Sequence, residues 1–197
     1  MNDSTSGLSR RALGGLAASA SGLLLATGSA QAAEPTTTQQ VRERLPVLAR
    51  HEGVWDGTFR RVDADGQIVE EFQSRIIKRF LPDEFWPMIY HQTNIYDLPD
   101  GTKQVIDTKG KYIDGKVWFE SERVDGWQLD DTADPFNRTV FLYMVYKSDP
   151  TQYVYEMINI SDDGQFRTRM TQFLKDGKTT KRTLIDEHLV SSDWTKF

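Results

Sequence analysis

No cysteine occurs in the 197 residues, which excludes disulfide staples, thiolate nucleophiles and cysteine-ligated metals. Histidine is scarce, with three in all, and none stands in a His-x-His or His-Glu-x-x-His spacing, so no metal site is expected. Gly-x-Ser-x-Gly, a phosphate loop and a dinucleotide fingerprint are all missing. The hydrolase, NTPase and dehydrogenase classes lose support with them, and no motif implies a cofactor. No run reaches the ~18 apolar residues of a spanning helix, so stable membrane insertion is not expected. Positive charge is not in excess either. Lysine and arginine number 24 against 29 acidic residues, a net charge of −5, which argues against nucleic acid and anionic membrane as main partners. A small molecule or another protein remains.

The amino terminus reads as an address rather than as fold. Ser9-Arg10-Arg11-Ala12-Leu13 opens a stretch of Ala, Gly, Leu and Ser, and Ala30-Gln31-Ala32 has the small-x-small form of a cleavage site. Residues 1–32 are therefore expected to be a twin-arginine export signal, and the mature chain periplasmic or secreted. Residues 33–40 are polar and without periodicity, a linker. The domain is expected over 41–197, opening with a short helix in which Val41, Leu45 and Leu48 share a face and Pro46 interrupts.

From Gly53 onward the punctuation is regular. Asp-Gly pairs stand at 65–66, 100–101, 114–115, 125–126, 163–164 and 176–177, each between runs of aromatic and β-branched residues. Asp-Gly supplies the positive φ angles of tight hairpins, so these pairs predict an antiparallel meander. Strands are expected over 53–62, 67–80, 86–97, 102–110, 111–114, 116–124, 138–147, 152–161, 165–174 and 178–190. No helical pattern long enough for a βαβ crossover intervenes. The length suits one closed barrel, all-β, of about eight to ten strands.

The first strand carries Gly53-Val54-Trp55-Asp56-Gly57. Its glycines permit close backbone approach while the indole plugs one end of a closed sheet. Here the chain resembles the calycins, the superfamily of lipocalins, fatty-acid-binding proteins and nitrobindins, whose first strand carries Gly-x-Trp. With Tyr90-His91-Gln92-Thr93-Asn94 and Tyr155-Glu156-Met157-Ile158 added, it is similar to a bacterial lipocalin-like family over roughly residues 40–190. The resemblance implies an up-and-down barrel around a small ligand and a basic residue packed over Trp55. Arg123 and Arg182 are the candidates for that residue. A haem role for His188, as in nitrobindins, rests on the resemblance alone.

A barrel of this size holds one small ligand, so function turns on which side chains face inward. Alternation predicts Ile68, Phe72, Ile76 and Phe80 inside, and likewise Phe166, Met170 and Leu174, opposite Arg167 and Arg169. Strands 86–97 and 152–161 are mixed. In the first, Tyr90, Gln92 and Asn94 oppose His91 and Thr93. In the second, Tyr155 and Asn159 oppose Glu156 and Ile158.

His91, mid-strand among apolar neighbours, is the leading acid/base candidate, with Tyr90 and Asn94 as hydrogen-bond partners for a ligand; an outward-facing or structural histidine is the alternative. Glu156 is the second, since a carboxylate among large apolar residues must be paired, protonated or hydrogen-bonded. A cross-strand ion pair to Arg123, Arg167 or Arg169 is its structural alternative. Arg123 could clamp a carboxylate. Trp118, Tyr155 and Asn159 complete the candidate ligand contacts. His51-Glu52, Glu187-His188 and the Asp63-Ala64-Asp65-Gly66 turn read as structural. The leading expectation is an exported protein that binds a small, largely apolar or aromatic molecule. A cofactor-independent lyase, isomerase or cyclase using His91 or Glu156 is the alternative, and an interaction module using the barrel exterior a third.

Overall fold

The computed structural model describes residues 34–197, so the expected export signal lies outside the described residues. Thr37 opens the first helix: its hydroxyl accepts from the backbone N–H of Gln40, and α1 runs Thr38–Arg44. The helix therefore starts within the expected linker. Pro46 forces a break, because it has no N–H to continue the ladder, and α2 follows over Pro46–Arg50.

Ten strands come next: β1 Gly53–Val62, β2 Ile68–Phe80, β3 Tyr90–Asp97, β4 Lys103–Ile113, β5 Lys116–Glu120, β6 Val124–Asp130, β7 Thr139–Tyr146, β8 Asp149–Ile160, β9 Phe166–Lys175 and β10 Lys178–Ser191. Each pairs antiparallel with its neighbours in sequence, and β1 closes on β10 to complete the barrel. Closure removes the exposed edges that an open sheet of this width would carry. The all-β, up-and-down architecture follows from the turn chemistry. Asp114-Gly115 and Asp176-Gly177 both adopt positive φ at the two hairpin tips, as two-residue turns require.

Asp125-Gly126 departs from that rule. It lies inside β6, not in a turn. A Cβ on Gly126 would come within 2.7 Å of Met144 Cγ and press on the Tyr143 carbonyl. This glycine serves close strand approach, and the segment expected as one strand, 116–124, becomes β5 and the start of β6 around a turn at 121–123.

One barrel end is sealed. Val41, Leu45 and Leu48 of the helices pack with Trp55, Ile76, Phe80, Tyr90, Val117, Val140 and Ile160 in the buried core. Trp55 is fully buried and its Nε1–H donates to the His51 carbonyl at 3.0 Å. Asp130 caps α2 from across the barrel rim, accepting from the N–H groups of Val47 and Leu48 at 2.7 and 2.8 Å. The other end is open.

Candidate functional site

Strand parity sorts every inward side chain. On β3 the inward set is Tyr90, Gln92, Asn94 and Tyr96, joined along the strand by side-chain hydrogen bonds. Tyr90 Oη donates to Gln92 Oε1 at 2.7 Å, Gln92 Nε2 to Asn94 Oδ1 at 2.7 Å, and Asn94 Nδ2 to Tyr96 Oη at 2.9 Å. This chain runs from the sealed end into the cavity. Burial pushes both phenols above their usual pKa, so they stay neutral, Tyr90 donating at one end of the chain and Tyr96 accepting at the other.

On β8 the inward set is Val154, Glu156, Ile158 and Ile160, all buried. On β9 the expected sides are exchanged. Arg167 and Arg169 point into the barrel, 1% and 7% exposed, while Phe166 is 60% exposed on the outside. The physical reason is pairing: buried guanidiniums are tolerated when carboxylates meet them. Arg169 Nε bonds Glu156 Oε1 at 2.5 Å and its Nη1 reaches Glu187 Oε1 at 3.5 Å. Arg167 Nε bonds the other oxygen of Glu187. Thr171 Oγ1 donates to Glu156 Oε2 at 3.2 Å.

Lys78 joins this interior group, 2% exposed. Burial, reinforced by Arg167 and Arg169, holds its ammonium well below the usual lysine range. Burial opposes ionisation of Glu187 too, but Arg167 and Arg169 outweigh it and leave its pKa below the usual carboxylate value. For Arg169, burial is outweighed by Glu156 and Glu187, which raise its pKa. The guanidinium of Arg167 also lies 4.2 Å from the Trp55 ring centroid. The basic residue over the plugging tryptophan is thus Arg167, in place of Arg123 or Arg182.

Above this charged layer opens a cavity of about 680 Å³. Its floor presents Glu156, Arg169, Thr171, Thr183, Gln92 and Asn94. Phe59, Phe72, Tyr96, Phe119, Leu142, Met144 and Phe173 form walls, and Arg61, Arg123 and Lys181 stand toward the mouth. Phe59, Phe72 and Tyr96 pack as one aromatic group, with centroid distances of 4.8–5.7 Å. Thr183 Oγ1 is buried against the cavity with no hydrogen-bond partner among the described residues. Arg61 is held by Glu70, whereas Lys181 rests on the Phe173 ring at 4.6 Å.

The sequence candidates separate accordingly. Tyr90 and Asn94 face inward, Asn94 in the cavity and Tyr90 beneath it, and Glu156 sits on the floor. Arg123 is exposed at the mouth. His91 faces outward, its Nε2 2.9 Å from Asp107 Oδ1 on the outer surface of β4. Trp118 is outside and stacks with Lys116, whose Nζ is 5.7 Å from its centroid. Tyr155 and Asn159 share that outer face. Arg169 is the ion-pair partner that the sequence offered as the structural reading of Glu156, while Thr171, Thr183 and Lys78 carry no signal of their own in the sequence. Glu156 and Arg169 on adjacent strands were the available signal, since a buried carboxylate demands a partner at that depth. Among the described residues no group of three or more histidine, aspartate and glutamate side chains could hold a metal, and no helix is long and apolar enough to cross a membrane.

Comparison with known proteins agrees with the geometry. No curated protein matches. Several solved structures share the fold, two of them as follows. A protein of unknown function from Nostoc punctiforme, of the DUF3598 family, matches with a TM-score of 0.55 and 15% identity over 74% of this chain and 50% of its own. The chain thus spans half the length of that relative. The S-type phycobiliprotein lyase from Guillardia theta matches with a TM-score of 0.57 and 14% identity over 79% of this chain and 93% of its own. A family model described as "Domain of unknown function (DUF3598), N-terminal" covers residues 42–192, and the chain belongs to that family.

Proposed function

We propose that the barrel binds one small molecule with a largely apolar or aromatic body and a hydrogen-bonding or anionic group. The observation that carries this reading is the open cavity of about 680 Å³ whose aromatic walls end on a polar floor. That volume falls in the range of small-ligand sites, and the pairing of apolar walls with a few fixed polar groups is how such sites orient a ligand. Arg169 is itself locked by Glu156 and Glu187, so its guanidinium is positioned before any ligand arrives, which lowers the ordering cost of binding. Arg123 and Lys181 at the mouth favour a ligand with negative charge, although the chain as a whole is acidic.

A second reading is a lyase, isomerase or cyclase, and it is favoured by the presence of Glu156 on the cavity floor. Arg169 and Thr171 commit that carboxylate to an ion pair and a hydrogen bond, an arrangement that supports orientation of a substrate more directly than proton transfer. The lyase from Guillardia theta shares the fold, and its name adds only that such barrels can host lyases.

An anilinonaphthalene sulfonate titration tests the binding reading. One site per barrel is expected, with affinity lowered at least about tenfold in Met144→Trp, which fills the cavity. A titration unchanged by Met144→Trp would place the probe elsewhere and refute the reading. Glu156→Gln separates the alternatives: binding survives under both, and turnover of any substrate is lost only under the second.

A further inference from the structure

The outer wall of the barrel is divided in two. Over β1–β4 it is laced with ion pairs: Asp56–Arg75, Arg60–Glu71, His91–Asp107 and Lys103–Asp97. Over β5–β10 two adjoining outward rows are apolar, with the Lys116 ammonium lying over Trp118 and Trp127 and the ion pairs Lys147–Asp125 and Arg60–Asp186 at their rim. One row runs Trp118, Trp127, Tyr143, Tyr155, each opposite the next in register. The row beside it runs Phe141, Met157, Met170, Leu184. Ring contacts tie the first row together, at 5.7 Å for Trp127–Tyr143 and 5.2 Å for Tyr143–Tyr155.

Members of both rows are open to solvent: Trp118 36%, Phe141 39%, Tyr155 51%, Met170 37% and Leu184 41%. At ~200 Å² for a fully open large side chain, these five alone present roughly 400 Å². The half-buried Trp127, Tyr143 and Met157 between them enlarge a patch already at the size that marks interaction sites on single chains. A stable protein interface covers ~800 Å² per partner, of which this patch would form the apolar centre.

We propose that this face is the interface of a homodimer, in which two barrels pack outer sheet against outer sheet. The charge distribution selects a second copy. The chain carries a net charge of −5, so two copies repel wherever their acidic walls meet, whereas the two rows hold no acidic side chain and the charge lying over them is the Lys116 ammonium above Trp118 and Trp127. Sheets stack about 10 Å apart with interleaved side chains, and the flexible thioethers of Met157 and Met170 can fit between the rings of a facing aromatic row. The cavity mouth lies at the barrel end, so this packing leaves it open.

Sedimentation velocity of the full chain across a concentration series is the test. A concentration-dependent dimer is expected in the micromolar range. Met157→Arg and Tyr155→Glu, on the outside of β8, should each raise the dimer dissociation constant at least about tenfold, with far-UV circular dichroism unchanged. A wild-type chain that stays monomeric throughout overturns the proposal. A dimer that persists unaltered in both folded variants overturns it equally. Binding of the monomer to neutral phosphatidylcholine vesicles through Trp118 would assign the face to a lipid surface instead.

Discussion

The guanidinium of Arg167 lies 4.2 Å from the ring centroid of Trp55 while its Nε bonds Glu187. Cation, indole and carboxylate come from β9, β1 and β10, so this contact fastens the strands on either side of barrel closure. Arg167→Met should destabilise the fold by about 3–5 kcal/mol, because it leaves Glu187 buried with only the longer Arg169 contact. Arg167→Met combined with Glu187→Gln should recover part of that loss. Urea unfolding of the three proteins measures it, and equal losses in the single and double variants would contradict the pairing.

Gly57 of β1 faces the same charged layer. A Cβ there would lie 2.5 Å from Glu187 Cγ and collide with the Asp186 carbonyl. Gly57→Ala should therefore cost more than about 2 kcal/mol by forcing β1 and β10 apart. Gly66→Ala is the contrast: nothing lies within 4 Å of its Cβ position, and its cost should reflect only the positive φ of 86°, about 1 kcal/mol. Thermal unfolding of the two variants compares a steric cause with a conformational one.

His51 is fully buried under the plug, and neither ring nitrogen has a hydrogen-bond partner among the described residues. Burial first, then Lys78 and Arg167, hold its pKa well below 6.5. The native state thus keeps the imidazole neutral where the unfolded chain takes up a proton, so stability falls as pH drops below about 6.5. Asp130 works in the opposite sense. Burial raises its pKa to about 6, against the two backbone N–H groups that lower it, so its contribution diminishes as pH rises between about 3.8 and 6. The difference between wild type and His51→Gln isolates the first effect. The variant should lose less stability between pH 6.5 and 5, and parallel profiles would remove His51 from the account.

Arg169 carries the cavity's polar floor. Arg169→Met should weaken binding of a carboxylate- or sulfonate-bearing aromatic probe on the order of tenfold or more, and should leave an uncharged analogue less affected. Isothermal titration with both ligands decides this. Equal losses for the two would mean that the variant damaged the cavity rather than removing a charge partner.

Much of the fold was legible because turn chemistry is local. Asp-Gly at 114–115 and 176–177 marks hairpins wherever the strands go. Asp125-Gly126 misled for the same reason: the sequence cannot distinguish a glycine needed for φ from one needed for close approach. The site was less legible because burial is set by partners. Phe166, Met170 and Leu174 read as core by hydrophobicity, yet they share the outward face of β9. Arg167 and Arg169 lie inside because Glu156 and Glu187 come from two other strands to meet them. Period-two alternation gives the two faces of a strand but not which of them is buried. That ambiguity placed His91, Trp118, Tyr155 and Asn159 among the candidates beside Asn94 and Glu156, when strand parity separates the two sets.

The central claim is that the open end of the barrel holds a small molecule. Native mass spectrometry of the protein purified gently from its natural source, beside the denatured mass, tests it most directly. The account predicts an additional non-covalent mass that disappears on denaturation, or a one-to-one adduct when a carboxylate-bearing aromatic probe is added to the bare chain. A bare mass from the natural source that stays bare with excess probe would contradict it.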